Sequence, residues 1–166
     1  MSAKISPVLL LALLAASCSR SLLPSIGKTV AVPRFAIAVK LSDKAGKQLH
    51  NIGEDVKVIA YFDGDALPGQ GKDNSPFRGV YLGSDEKLVD GNGLAKFNNS
   101  KVALSDWNKL SDKNYFVTIN TVSARKADQN NLVECDDPIS RRVESFKDKT
   151  IEVRCRLIGE LFEPVR

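Results

Sequence analysis

The chain has 166 residues, with 24 Lys and Arg against 20 Asp and Glu, one His and three Cys, for a formal net charge of +4 and a pI near 9.0. That length holds one domain with a real core and is short for two. The two signs of charge are interleaved and no basic stripe is set among aromatics, so the basic pI does not argue for nucleic acid as a partner.

At the N-terminus Lys4 precedes an apolar run from Pro7 to Ala16, and small residues follow. This is the charged region, short apolar region and processing site of a secretory signal, and it is too short for a bilayer core, which needs about 20 helical residues. Leu14-Ala15-Ala16-Ser17-Cys18 resembles the lipobox of bacterial lipoproteins. The resemblance implies that residues 1–17 are removed as a signal peptide and that Cys18, lipid-modified with palmitate among its acyl chains, becomes the first mature residue. The membrane is then a partner through that anchor. Ala15 departs from the commonest pattern, which has Leu three residues before the cysteine. Ala15 and Ser17 also suit ordinary signal peptidase, and the alternative is a soluble secreted protein with an unmodified Cys18. Ser19 resembles the family's sorting pattern for the outer membrane. Removing residues 1–17 takes Lys4 away and leaves 149 residues with a formal charge of +3.

An odd cysteine in an exported protein needs an explanation. If Cys18 is acylated, Cys135 and Cys155 remain as one natural disulfide pair in an oxidising compartment, closing a loop of about 20 residues worth roughly 3 kcal/mol in the chain-entropy model. Metal binding by the pair is disfavoured, since there is one histidine and no Cys-x-x-Cys.

Residues 18–34, with Pro24, Gly27 and Pro33, read as a tether, in which Thr29 to Val32 forms at most a short edge strand stopped by Pro33. From Phe35 the pattern is β. Phe35, Ile37, Val39 and Leu41 alternate onto one face, and Asp43-Lys44-Ala45-Gly46 reads as a turn. Val56 to Phe62 is apolar on both faces, the mark of a central strand. Asp63-Gly64-Asp65 ends it and opens a Gly- and Pro-rich loop from Ala66 to Arg78, of the kind that in compact domains is functional or disordered.

Gly79 to Leu82 is a short strand, and Lys87 to Phe97 reads as a tight hairpin centred on Asp90-Gly91-Asn92-Gly93, residues that accept positive φ. A calcium loop starting at Asp90 lacks its ligands, because Lys101 stands where the bidentate glutamate belongs. The order of a strand ending in Asp-Lys-Ala-Gly, the strand Val56 to Phe62 and the segment Leu88 to Phe97 resembles the repeat units of bacterial immunoglobulin-like and transthyretin-like sandwich domains. The resemblance covers Phe35 to Ile119 and implies a fold and no function.

Ser105 or Asp106 suits the cap of a single helical turn carrying Trp107, which packs over one end of the core. Leu110 to Ile119 resembles the tyrosine corner of Greek-key sandwiches, with Tyr115, Val117 and Ile119 facing one way; Val117 stands in place of the antibody-type cysteine. Ser123 to Lys149 is polar and reads as a surface excursion pinned by the disulfide, in which Arg141-Arg142 with Lys147 and Lys149 suit an acidic partner or lipid head groups, against solvated charge as the default reading. Thr150 to Leu157 alternates as a closing strand, with Ile151, Val153, Cys155 and Leu157 inward.

The catalytic inventory is thin. His50 lies in a loop between strands on this reading, and no nucleophile elbow, zinc-protease motif or Cys/His pair is present. The expectation is an all-β, antiparallel β-sandwich at 35–166 that is not an enzyme and takes no cofactor. It acts as a binding or assembly component of the bacterial envelope, with an envelope protein as partner. The contact residues expected are Asp63, Asp65 and Arg78 of the loop with Arg141 and Arg142.

Overall fold

The structure is a computed structural model that describes residues 27–70, 79–136 and 138–161. Its elements run β1 (Thr29–Ala31), β2 (Phe35–Leu41), α1 (Asp43–Ile52), β3 (Val56–Gly64), β4 (Val80–Val89), β5 (Gly93–Phe97), β6 (Lys101–Ala103), α2 (Leu104–Trp107), β7 (Phe116–Ser123), β8 (Val133–Cys135), β9 (Ile139–Arg142), a 3-10 turn at Val143–Ser145 and β10 (Thr150–Leu157). The fold is mostly β. Two four-stranded sheets, β5-β2-β10-β8 and β4-β3-β7-β9, pack face to face, and the pair β1-β6 closes one end.

The alternating patterns place their residues as expected. Phe35, Ile37, Val39 and Leu41 are buried, as are Val153 and Cys155 of β10, while Thr150, Glu152 and Arg154 between them face water. β3 is flanked by β4 and β7 and buries residues on both faces, Val58 and Phe62 on one and Ile59 on the other. Phe35 stacks on Phe97 at 4.8 Å between ring centroids and meets the edge of Phe146 at 5.2 Å.

Several local expectations are corrected. Asp43-Lys44-Ala45-Gly46 is the first turn of a helix, and His50 sits exposed in its last turn, so neither belongs to a loop. Ser42 caps α1 by accepting the Ala45 N–H at 3.1 Å, Gly53 ends it at φ 71°, and Ala45 and Leu49, four apart, bury its inner face. β4 runs unbroken from Val80 to Val89 where a short strand was expected, and Asp90 to Gly93 does not close a hairpin. β4 pairs with β3 and β5 with β2, so these residues carry the chain from one sheet to the other, and the Asn92 carboxamide accepts the Leu41 N–H at 2.6 Å. β10 lies parallel to β2, so the architecture is antiparallel except for this pair. A parallel pair needs a long crossover, and here everything between β2 and β10 provides it. The excursion at 123–149 contributes to the core through Val133, Val143 and Phe146. α2 has Ala103 at its N-cap and no side-chain cap from Ser105 or Asp106. The short edge strand expected near Thr29 is β1, and it pairs antiparallel with β6.

The tyrosine corner does not form. Tyr115 is buried, 1% exposed, and among the described residues its hydroxyl finds no hydrogen-bond partner. The upstream carbonyls that such a phenol would hold are taken by other donors: Lys113 Nζ donates to the Trp107 and Leu110 carbonyls, and Arg142 donates to that of Asn114. Burial, with the nearby Glu144 charge, pushes the phenol well above its ordinary pKa. Trp107 does pack over this end, edge-on to Tyr115 at 5.5 Å.

At the opposite end Glu54, 2% exposed, is a clamp. Its carboxylate accepts the N–H groups of Asp55, Lys126, Ala127 and Asp128 at 2.8 to 3.3 Å. Desolvation alone would raise its pKa, but these four donors outweigh it and hold the carboxyl below the ordinary value.

Candidate binding site

The C-terminal end of β3, the start of β7 and the end of β9 meet at one pole, and adjacency in register puts Asp63, Tyr81, Phe116 and Arg142 in one row across all four strands. Asp63 is buried at 3%, while Tyr81 is 41% exposed. A bulge between Phe62 and Asp63 shifts the β4 register at this point, as bulges do where a strand's side chains are re-aimed.

Arg142 is the hub. Its guanidinium donates to Asp112 Oδ2 at 3.1 Å and to the Asn114 carbonyl, lies 3.7 Å from Asp65 Oδ2, and sits 4.2 Å above the Phe116 ring. It therefore ties together the loop after β3, the segment before β7 and the end of β9, with a cation–π contact beneath. Each ion pair is half exposed and worth little by itself; the gain is in fixing three connections to one another. Backbone bonds finish the work, from Leu67 N–H to the Lys109 carbonyl and from Ser111 N–H to the Asp65 carbonyl. Asp112 also turns its own segment by accepting the Asn114 N–H at 2.9 Å.

The neck of the loop is glycine by necessity. Gly64 and Gly79 bridge to each other; a Cβ on Gly64 would stand 2.7 Å from Leu110 Cδ2, and Gly79 has φ +67° with Ala66 atoms at 3.1 Å from where its Cβ would be. Beside the hub, Gly27 to Thr29 and Ala103 to Asn108 border a cleft of about 550 Å³ where the described chain begins.

Of the residues expected to make contacts, the structure places Asp65 3.7 Å from Arg142, and Asp63 shares a cross-strand row with Arg142, two strands away. Arg141 is exposed on the opposite side of β9, since neighbours in a strand alternate. Arg78 and Cys18 lie outside the described residues. Asp112, Asn114 and Phe116 complete the hub, and only their distant partners distinguish them from ordinary turn and strand residues. Cys135 and Cys155 are joined, directly opposite each other on β8 and β10 with their Cα atoms 4.0 Å apart. Among the described residues no group of three His, Cys, Asp or Glu could hold a metal ion, and no helix is long and apolar enough to cross a membrane. Comparison of the chain with protein-family models, with curated proteins and with solved structures finds no match.

Proposed function

We propose that this chain is an exported, lipid-anchored component of a bacterial cell envelope, a binding or assembly module of immunoglobulin-like or transthyretin-like fold that works without catalysis. On this reading residues 1–17 are the signal peptide and Cys18 carries the lipid, in the outer membrane where Ser19 directs it. Nine residues separate Cys18 from Lys28, so an anchor at Cys18 keeps Lys28 within about 35 Å of the bilayer, at the reach of an extended chain. The observation that supports a binding role is the Arg142 hub. It fixes the base of a Gly- and Pro-rich loop to two other connections on a rigid end of the sheets, which lowers the ordering entropy lost when a partner is engaged.

Two measurements test this. Cys18→Ser should accumulate as unprocessed precursor or leave the detergent-soluble membrane fraction; a variant that fractionates and migrates like the parent removes the anchor and favours the soluble secreted module. Shortening Leu67 to Pro76 to a Gly-Ser bridge should keep the thermal melt and reduce recovery of the crosslinked envelope partner. Full recovery from a folded variant moves the contact surface to Arg141 and its neighbours.

A further inference from the structure

At the end of the sheets where β1 and β6 lie, the strip of chain from Lys28 to Ala36 runs between two others. On one side the Leu104 N–H donates to the Lys28 carbonyl at 2.8 Å, Lys101 stands opposite Ala31, and the Val32 N–H donates to the Ser100 carbonyl at 2.9 Å. On the other, the Asp148 N–H donates to the Arg34 carbonyl at 2.8 Å and the Ala36 N–H to the Lys149 carbonyl at 2.9 Å. These three segments bring Lys28, Arg34, Lys101, Lys147 and Lys149 to one end of the molecule, all of them exposed. The carboxylate among them is Asp148, which pairs with Arg34 and lies within the field of Lys147. Glu144, three residues before Lys147, adds a second at the border, while Asp85 and Asp106 beyond it are neutralised by Lys87 and Lys109. Five cations thus face two carboxylates. The described residues hold 19 Lys and Arg against 17 Asp and Glu, so away from this end the charges are 14 against 15 and nearly cancel.

We propose that this basic end is a docking surface for an anionic lipid bilayer, meeting the headgroups through Lys28, Lys101, Lys147 and Lys149. The proposal rests on the reading of Cys18 as the lipidated residue: the described chain enters at Gly27, in the same strip, and the nine residues between Cys18 and Lys28 hold it within about 35 Å of the membrane. Charge complementarity then sets the occupant, since the excess of positive charge lies at the end to which the anchor leads. Lys28 borders the cleft of about 550 Å³ and the other three lysines do not, so the ammonium groups do not converge on that pocket. Flexible point charges spread over three segments suit a broad layer of headgroups. β2 and β10 both start at this end and run away from it, so docking here stands the sandwich end-on, with α1 and the disulfide about 25 Å further from the headgroups.

The test is lysine acetylation footprinting of the exported, processed protein on phosphatidylcholine bilayers with and without phosphatidylglycerol, read by mass spectrometry. Lys28, Lys101, Lys147 and Lys149 should react about fivefold more slowly on the anionic bilayer, the gain of one lysine near an anionic surface, and the difference should fade at high salt. Lys40, Lys44 and Lys47, at the other end of β2 and in α1, should stay within about twofold, beyond the screening length. Lys101→Glu/Lys149→Glu should abolish the protection of Lys28 and Lys147 without changing the thermal melt, since both substituted side chains are exposed. Retention on the neutral bilayer reports the anchor separately. A protein retained by the anionic bilayer alone keeps the surface and removes the acyl group; one retained by both with the same footprint keeps the anchor and overturns the surface; one retained by neither overturns both. Equal protection of all lysines would also overturn the surface, and equal protection of the four by soluble poly-glutamate would reassign this end to an acidic protein and overturn the lipid as partner.

Discussion

Glu54→Gln is the substitution that most directly probes how this fold is held. In the parent, Oε1 accepts the Asp55 and Lys126 N–H groups and Oε2 those of Ala127 and Asp128. Glutamine keeps the shape but replaces one oxygen with an NH₂, setting a donor against two backbone donors whichever way the amide is turned. Two amides then lose their acceptor in a site that is 2% exposed, and at about 1 to 3 kcal/mol for each buried group left unmade the loss is roughly 2 to 6 kcal/mol. The pH dependence carries a sign. The folded carboxyl lies below its ordinary value, so its contribution is fully present above the unfolded glutamate range, near pH 4.3, and disappears as pH falls through the folded value. Urea unfolding of the disulfide-intact protein, followed by the fluorescence of the single Trp107, should show a wide gap between parent and variant at pH 7 that narrows toward pH 3. A gap under about 0.5 kcal/mol at pH 7, as for an ordinary surface substitution, or one that stays constant on acidification, would refute the clamp.

Tyr115→Phe removes a buried hydroxyl without a partner among the described residues and should leave stability unchanged or raise it by about 1 kcal/mol; a loss of that size by urea unfolding would mean the phenol is held after all. Cys135→Ala/Cys155→Ala should destabilise by roughly 3 kcal/mol, and non-reducing mass analysis of the parent should give the two peptides joined. Gly79→Ala, at φ +67° with Ala66 already close, should lose about 1 to 3 kcal/mol through backbone strain, read as a lowered melting temperature.

What the sequence makes legible is the set of positions where one face of a strand is buried. β2, β3 and β10 follow from period-two alternation, and the inward phase of Cys155 agrees with its bond to Cys135. α1 is hidden because Asp43 and Gly46 are turn-formers by composition; its legible signals were Ser42 at the start and Gly53 at the end, with Ala45 and Leu49 four apart. Asp90 to Gly93 has the chemistry of a hairpin turn, and positive φ at Gly91 is indeed adopted, yet local chemistry cannot say whether the two strands pair with each other or with different sheets. For the site, Asp65 and Arg142 come from two separate stretches and lie 3.7 Å apart, with Asp63 in the same cross-strand row as Arg142.

The edges of the sheets bear on where a partner can act. β4 is ten residues long and paired on one side only, which is the template for unwanted strand addition. Its inner face carries charges: Asp85 and Lys87 stand opposite the buried Ala60 and Val58. They pair with each other at 2.6 Å, with the Ser100 hydroxyl on Asp85 at 2.6 Å and the Lys87 ammonium 5.6 Å from the Phe97 ring centroid. Burial raises the Asp85 pKa, but Lys87 and Ser100 outweigh it and keep the carboxyl ionised. A strand arriving at this edge would have to cover an inward ion pair, and the bulge beside Gly83 interrupts the ladder further on. Of the remaining edges, β5 is five residues long and β8 and β9 are three and four. Strand addition along β4 is therefore disfavoured by construction.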